Sequence, residues 1–148
     1  MFKHILIPTD GSKLSEEALH TGFQLAKEQG SQVTVLYVMP DYSAMIYGAE
    51  ALMASNSAEF DKSAQKEADK VLQEVADIAT AEGIACKTVR VMNISVHQAI
   101  LKQAKDSQCD LICMASHGRK GFASILLGSE TQRVLVNSNI PVLVHRPG

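Results

Sequence analysis

The sequence predicts a single α/β domain in which five parallel strands form a doubly wound sheet. Short runs of β-branched and other apolar residues alternate with segments of helical period, five of the first kind and four of the second. The runs are too uniformly apolar for a sheet with one wet face, so helices must cover both faces. A length of 148 residues, 46% hydrophobic and 20% charged, suits one folded domain and leaves no room for a second core. Right-handed crossovers then leave few topologies open.

Residues 3–9 (KHILIPT) make the first strand, which opens into Asp10-Gly11-Ser12. Ser12 caps a helix in which Leu14, Ala18, Gly22, Leu25 and Ala26 recur at helical spacing until Gly30. Residues 32–39 (QVTVLYVM) form the second strand, ended by Pro40. The polar, small-residue stretch 41–56 reads as a mobile surface loop, because both its flanks belong to one sheet. A second helix carries Ala64, Ala68, Val71, Leu72, Val75 and Ile78 on one face and stops at Gly83. Residues 85–92 form the third strand. Ser95 and Gln98 have capping-box spacing for a helix to about Ser107. Residues 110–115 (DLICMA) are the fourth strand. Ser129 and Gln132 repeat the capping-box spacing for a helix to about Asn137, and residues 140–145 (IPVLVH) form the last strand.

Several function classes are excluded by composition. A net charge of −2 from 14 basic and 16 acidic residues gives no polycationic face for nucleic acid. No apolar run is long enough for a membrane span, and MFKHILIPTDGS lacks the apolar core and cleavage site of a signal peptide. Cys86, Cys109 and Cys113 are an odd set without a CxxC pair, which fits a reduced, cytoplasmic protein without disulfides or a zinc knuckle. His4, His20, His97 and His145 show no metal-ligand spacing. There is no Walker loop, GxGxxG, GxSxG or HExxH, and Asp10 is the sole obvious carboxylate for metal-assisted phosphoryl transfer.

In open α/β sheets ligands bind beyond the carboxyl ends of the strands, where the strand order reverses. Three such ends carry unusual residues: Pro8-Thr9-Asp10-Gly11-Ser12, Val38-Met39-Pro40, and the segment from Met114 to Gly121 followed by Gly128-Ser129. Gly118 and Gly121 let the backbone turn with its amides exposed, and Gly128-Ser129 adds the amides of a helix N-terminus, which together make an anion site. Arg119 and Lys120 add positive charge. The plainer reading is that the glycines serve ordinary turns and the two cations are solvated. Ser129 either caps its helix or bonds a phosphate oxygen. His117 either serves an anion as donor or acid–base group, or is a loop histidine bonded to backbone. Glu130 and Arg133 are spaced for a surface ion pair.

These segments resemble the universal stress protein family, whose nucleotide-binding members carry Gly-x2-Gly-x9-Gly-Ser/Thr after the fourth strand. Gly118, nine residues and then Gly128-Ser129 match the last three fixed positions, and Ala115 stands at the first. The resemblance spans the chain, through IPTDGS, LYV, MASHGRKG, ILLGSETQRVL and NIPVLVHRP. It implies a Rossmann-like sheet of the adenine nucleotide alpha hydrolase type in the order 3-2-1-4-5. It further implies a homodimer, placed through the edge strand 140–145, and in many members bound ATP, ADP or AMP with Mg²⁺. Carried over by position, Pro8, Thr9 and Asp10 face the adenosine, with Asp10 accepting from ribose or adenine or serving an Asx-type turn. Val38 offers backbone and apolar contact to adenine besides being core strand, Met114 flanks the base or fills the core, and Ala115, His117, Gly118, Arg119, Gly121, Gly128, Ser129, Glu130 and Thr131 complete the nucleotide-binding set. An alanine at 115 adds one methyl, which is tolerable where its φ is negative.

The expectation is a cytoplasmic ATP-binding sensor or switch in a stress response. The alternative is a dimeric interaction protein of the same family that binds no nucleotide. A receiver-type phosphoacceptor built on Asp10 would need an acidic pair that the first strand lacks. Slow ATP hydrolysis, or phosphorylation of Ser129, is the most enzymatic activity expected.

Overall fold

The computed structural model describes residues 1–39, 50–118 and 127–147, with side chains of the second helix described from residue 62. Its elements run β1 (His4–Thr9), α1 (Lys13–Gln29), β2 (Gln32–Met39), α2 (Glu50–Glu82), β3 (Cys86–Met92), α3 (Val96–Asp106), β4 (Leu111–Ala115), α4 (Ser129–Asn137) and β5 (Val142–His145). The five strands form one parallel sheet in the order β3-β2-β1-β4-β5.

Alternate residues of the inner strands feed two separate cores. Ile5, Ile7, Val33, Val35 and Cys113 pack under α1 and α2, against Leu19, Phe23, Leu72 and Val75. Leu6, Leu36, Ile112 and Met114 pack on the opposite face, against Ile100 and Ala104 of α3 and Val134 of α4. Both faces of β1, β2 and β4 are therefore dry, which is why their sequences show no polar alternation. The edge strand β3 departs from that pattern, with Lys87, Arg90 and Met92 exposed.

The glycines at the helix ends act as expected. Gly30 and Gly83 stop α1 and α2 at φ of +69° and +71°. Gly22 has a different role, because a Cβ there would stand 2.5 Å from Ile7 Cδ1 and 3.4 Å from Cys113 Sγ. Its bare backbone lets α1 settle onto β1 and β4.

Three expectations need correction. Residues 50–56 belong to α2, so the expected loop is at most its first part, and residues 41–49 lie outside the described residues. Residues 50–60 (EALMASNSAEF) are rich in Ala, Leu, Met and Glu, which favour helix, but they hold no single apolar stripe for the period to reveal. In α3, Ser95 Oγ accepts the Gln98 N–H at 3.4 Å, while the Ser95 N–H goes to Asn93 Oδ1 at 2.9 Å, so the box is half made. In α4 the N-cap is Gly128, and Ser129 is the first helical residue. The Gly128 N–H is anchored on the Ser116 C=O at 2.6 Å, and Gln132 Nε2 donates to the Leu127 C=O at 2.9 Å.

Candidate functional site

The strand order reverses beside β1, whose neighbours are β2 on one side and β4 on the other. The chain leaves β1 toward β2 and β3, then crosses back to β4, so the carboxyl ends of β1 and β4 open onto a crevice. β1 enters that crevice through Thr9, which is buried, with Oγ1 3.1 Å from Ser15 Oγ and accepting the Gly11 N–H at 3.2 Å. Asp10 follows, and its Oδ1 accepts the Ser12 N–H at 2.9 Å, forming the Asx-type turn that the sequence allowed. Its Oδ2 faces the loop after β4, where a Cβ on Gly118 would lie 2.8 Å away.

The other wall is the start of α4. A Cβ on Gly128 would stand 3.1 Å from His117 Cα and 3.2 Å from the Ser116 carbonyl oxygen. Glycine at 118 and at 128 thus marks two close approaches. The first intrahelical bond of α4 runs from the Gln132 N–H to the Gly128 C=O at 3.0 Å, which leaves the amides of Ser129, Glu130 and Thr131 at the positive end of the helix. Thr131 is buried and donates from Oγ1 to the Ala115 C=O at 3.0 Å, tying this helix end to the tip of β4.

The Glu130 carboxylate is taken up by its neighbours. That carboxylate accepts the His97 N–H at 2.8 Å, lies 3.2 Å from His97 Nδ1 and accepts from an Arg133 guanidinium nitrogen at 2.7 Å. The pairing with Arg133 was legible from its spacing. The contact with His97 was not, because only the packing of α3 beside α4 creates it.

The apolar candidates share one side of the sheet. Met114 is buried in the cluster under α3 and α4, Val38 packs against it, and Pro8 follows Leu6 on that side by strand alternation. His117 Nδ1 lies 3.3 Å from the Gly118 carbonyl oxygen, so the backbone contact of a plain loop histidine is present. A shallow cleft of about 390 Å³ opens beside it, between Lys13 and Glu17 of α1, the His117-Gly118 turn and Pro147.

Cysteine and metal chemistry find little here. Burial pushes the Cys86, Cys109 and Cys113 thiols up to about 11, so they stay protonated and weakly nucleophilic near neutral pH. Among the described residues no three His, Cys, Asp or Glu side chains cluster to hold a metal ion, and no helix is long and apolar enough to cross a membrane.

The model of the Universal stress protein family matches residues 1–146. The chain belongs to the universal stress protein family. It is 34% identical over 145 residues to universal stress protein MJ0531 of Methanocaldococcus jannaschii, covering 97% of this chain and 82% of that one. The solved structure of MJ0577, from the same organism, superposes with a TM-score of 0.85 at 30% identity, covering 100% of this chain and 98% of that one. A universal stress protein solved in complex with cAMP matches with a TM-score of 0.70 at 22% identity, covering 97% and 96% of the two chains. One from Archaeoglobus fulgidus in complex with dAMP matches with a TM-score of 0.65 at 17% identity, covering 98% of each. The last two likenesses are of fold.

In this universal stress protein, Ala115 needs no glycine backbone, since the one described non-glycine residue at positive φ is Gln108. Arg119 and Gly121 lie outside the described residues. Sequence reasoning did not single out Ser116. It is fully buried, its N–H donates to the His145 C=O at 2.8 Å, and its Oγ has no hydrogen-bond partner. A serine beside a GxxG turn reads as loop, and nothing in the sequence signals that burial.

Proposed function

We propose that this universal stress protein binds an adenine nucleotide, ATP foremost and with Mg²⁺, in the crevice beyond β1 and β4, and works in the cytoplasm as a sensor or switch. The observation that carries this reading is the meeting of Asp10 with Gly118 beside the amides that open α4. A carboxylate suited to ribose hydroxyls then stands next to backbone donors suited to phosphate. Relatives solved with cAMP and with dAMP support the same ligand class.

Each residue has a role in that reading. The amides of Gly118, Ser129, Glu130 and Thr131 would hold phosphate oxygens, and the helix dipole favours the anion. Pro8, Val38 and Met114 would form the apolar wall against adenine. Asp10 would accept from the ribose, and its carboxylate would be a ligand for a Mg²⁺ carried by the triphosphate. The metal would offset phosphate charge. Ser129 does not cap its helix, so its hydroxyl is available to a phosphate, as acceptor of a slow phosphoryl transfer or simply as donor. Nucleotide binding would stabilise the folded protein by mass action, and that shift is the signal a partner would read.

A second reading, a dimeric interaction protein that takes no nucleotide, is favoured by Ala115 at the first motif position. Both readings include a homodimer through the edge strand β5. They are separated by denaturing the purified protein in acid and identifying released small molecules by mass. ATP or ADP in the supernatant supports the nucleotide reading. Clean protein that also gives no heat with ATP and Mg²⁺ overturns it.

A further inference from the structure

Ser116 Oγ is cut off from water and bonded to nothing in the protein. Its surroundings are otherwise satisfied. The Ser116 C=O accepts the Gly128 N–H at 2.6 Å, the Thr131 hydroxyl is engaged by the Ala115 C=O at 3.0 Å, and His117 Nδ1 lies 3.3 Å from the Gly118 carbonyl oxygen. A hydroxyl in that position has given up its bonds to water without recovering one. Buried polar atoms are almost always paired, and each exception calls for a physical cause.

The position of Ser116 narrows the cause. Its N–H makes the last bond of the β4–β5 ladder, to His145, at the point where the chain bends away from β4. Its own carbonyl accepts the N–H of Gly128, the N-cap residue of α4, so the residue adjoins the helix end whose amides favour an anion. In the nucleotide reading above, Asp10 would serve the ribose hydroxyls from across the crevice.

We propose that Ser116 is a further ligand-binding residue of this site, its hydroxyl donating to the phosphate oxygen nearest the ribose of the bound nucleotide. The proposal rests on the nucleotide reading above. One rotation about χ1 moves a serine oxygen among three staggered positions, so the donor reaches a ligand without a change of backbone. A hydroxyl donating to a charged oxygen makes a stronger bond than one donating to a neutral group, which rewards placing it here.

Ser116→Ala tests this by two measurements on protein stripped of nucleotide. Thermal unfolding should match or exceed the parent, because the variant deletes a polar atom that has no partner. A lower Tm would show that the hydroxyl is already bonded inside the protein and would overturn the assignment. Calorimetry should show ATP binding weakened about tenfold or more, with adenosine binding unchanged. Equal loss for both ligands, or loss for neither, would overturn the phosphate contact. Ser116→Cys keeps the volume with a weak donor and should fall between parent and alanine. A parent that binds no ATP would sink the nucleotide reading itself. A parent that binds while Ser116→Ala binds equally well would sink this assignment alone.

Discussion

Asp10 and Gly118 come from different ends of the chain, yet a single methyl on Gly118 would stand 2.8 Å from the Asp10 carboxylate. The carboxylate cannot simply swing aside, since its other oxygen accepts the Ser12 N–H at 2.9 Å. Nothing in either core depends on Gly118, which is exposed.

Gly118→Ala should therefore damage the site and spare the fold. The new methyl displaces Asp10, breaks its turn and narrows the approach to the backbone. ATP affinity, read by calorimetry, should fall about tenfold, the loss of one charged hydrogen bond. The circular dichroism spectrum should stay that of the parent. Unchanged affinity would show that the ligand does not pass between these two residues.

Ala115 gives the opposite expectation. Strand alternation sends its methyl to the side of Cys113, beneath α1, and away from Met114. A glycine here would relieve no crowding on the Met114 side. Ala115→Gly should leave ATP affinity within about twofold and lower stability by about 1 kcal/mol, through the greater freedom of the unfolded chain. A gain in affinity of tenfold would mean that the methyl does obstruct the nucleotide.

What was legible in the sequence and what was not divides along a physical line. Ser12, Gly30 and Gly83 mark helix ends by local chemistry, so α1 and the end of α2 stand where the residues place them. The dry inner strands announced a sheet covered on both faces. The start of α2 escaped because residues 50–56 combine helix propensity with no apolar stripe. The cap of α4 moved from Ser129 to Gly128 because a long-range bond to Ser116 outweighs a local side-chain preference. In the site, Asp10 and the glycines could be named from their motifs. Ser116 and the His97 contact to Glu130 exist only once β4, α3 and α4 have packed.

Asp110 should make stability depend on acid pH. Burial alone would raise its carboxyl, but the amides of Lys3 and His4, donating at 2.9 and 3.0 Å, outweigh that and hold it below the ordinary aspartate range. A carboxyl lowered in the folded state stabilises the protein above the unfolded pKa of about 4 and ceases to as the pH falls through the folded value. Solvent screening limits the effect to about 1 kcal/mol. Asp110→Asn should lower Tm by about 2–4 °C at pH 7, and the gap should close toward pH 2. A gap that persists unchanged in acid would assign the effect to packing and not to charge.

The edge strand β5 carries the last prediction, a homodimer. The Ile112 N–H donates to the Pro141 C=O at 3.0 Å, and the Ser116 N–H donates to the His145 C=O at 2.8 Å. Residues 141, 143 and 145 thus turn their backbone groups toward β4, while Val142 and Val144 turn theirs to the open edge. Beside that edge Leu143 is 39% exposed, and on α4 Leu135 is 39% and Val136 82% exposed. Open backbone flanked by apolar side chains is satisfied by the same strand of a second copy about a two-fold axis. Light scattering at micromolar concentration should give twice 16.0 kDa. Leu143→Pro is a poor probe, because it breaks the ladder to β4. Val144→Pro removes an outward donor and leaves that ladder intact, so it should yield a folded monomer. Val136→Glu, at a site that packs little within the subunit, should act in the same direction through charge repulsion across the axis. A parent that scatters as a monomer would end the homodimer prediction, and a Val144→Pro variant that stays dimeric would place the association on another face.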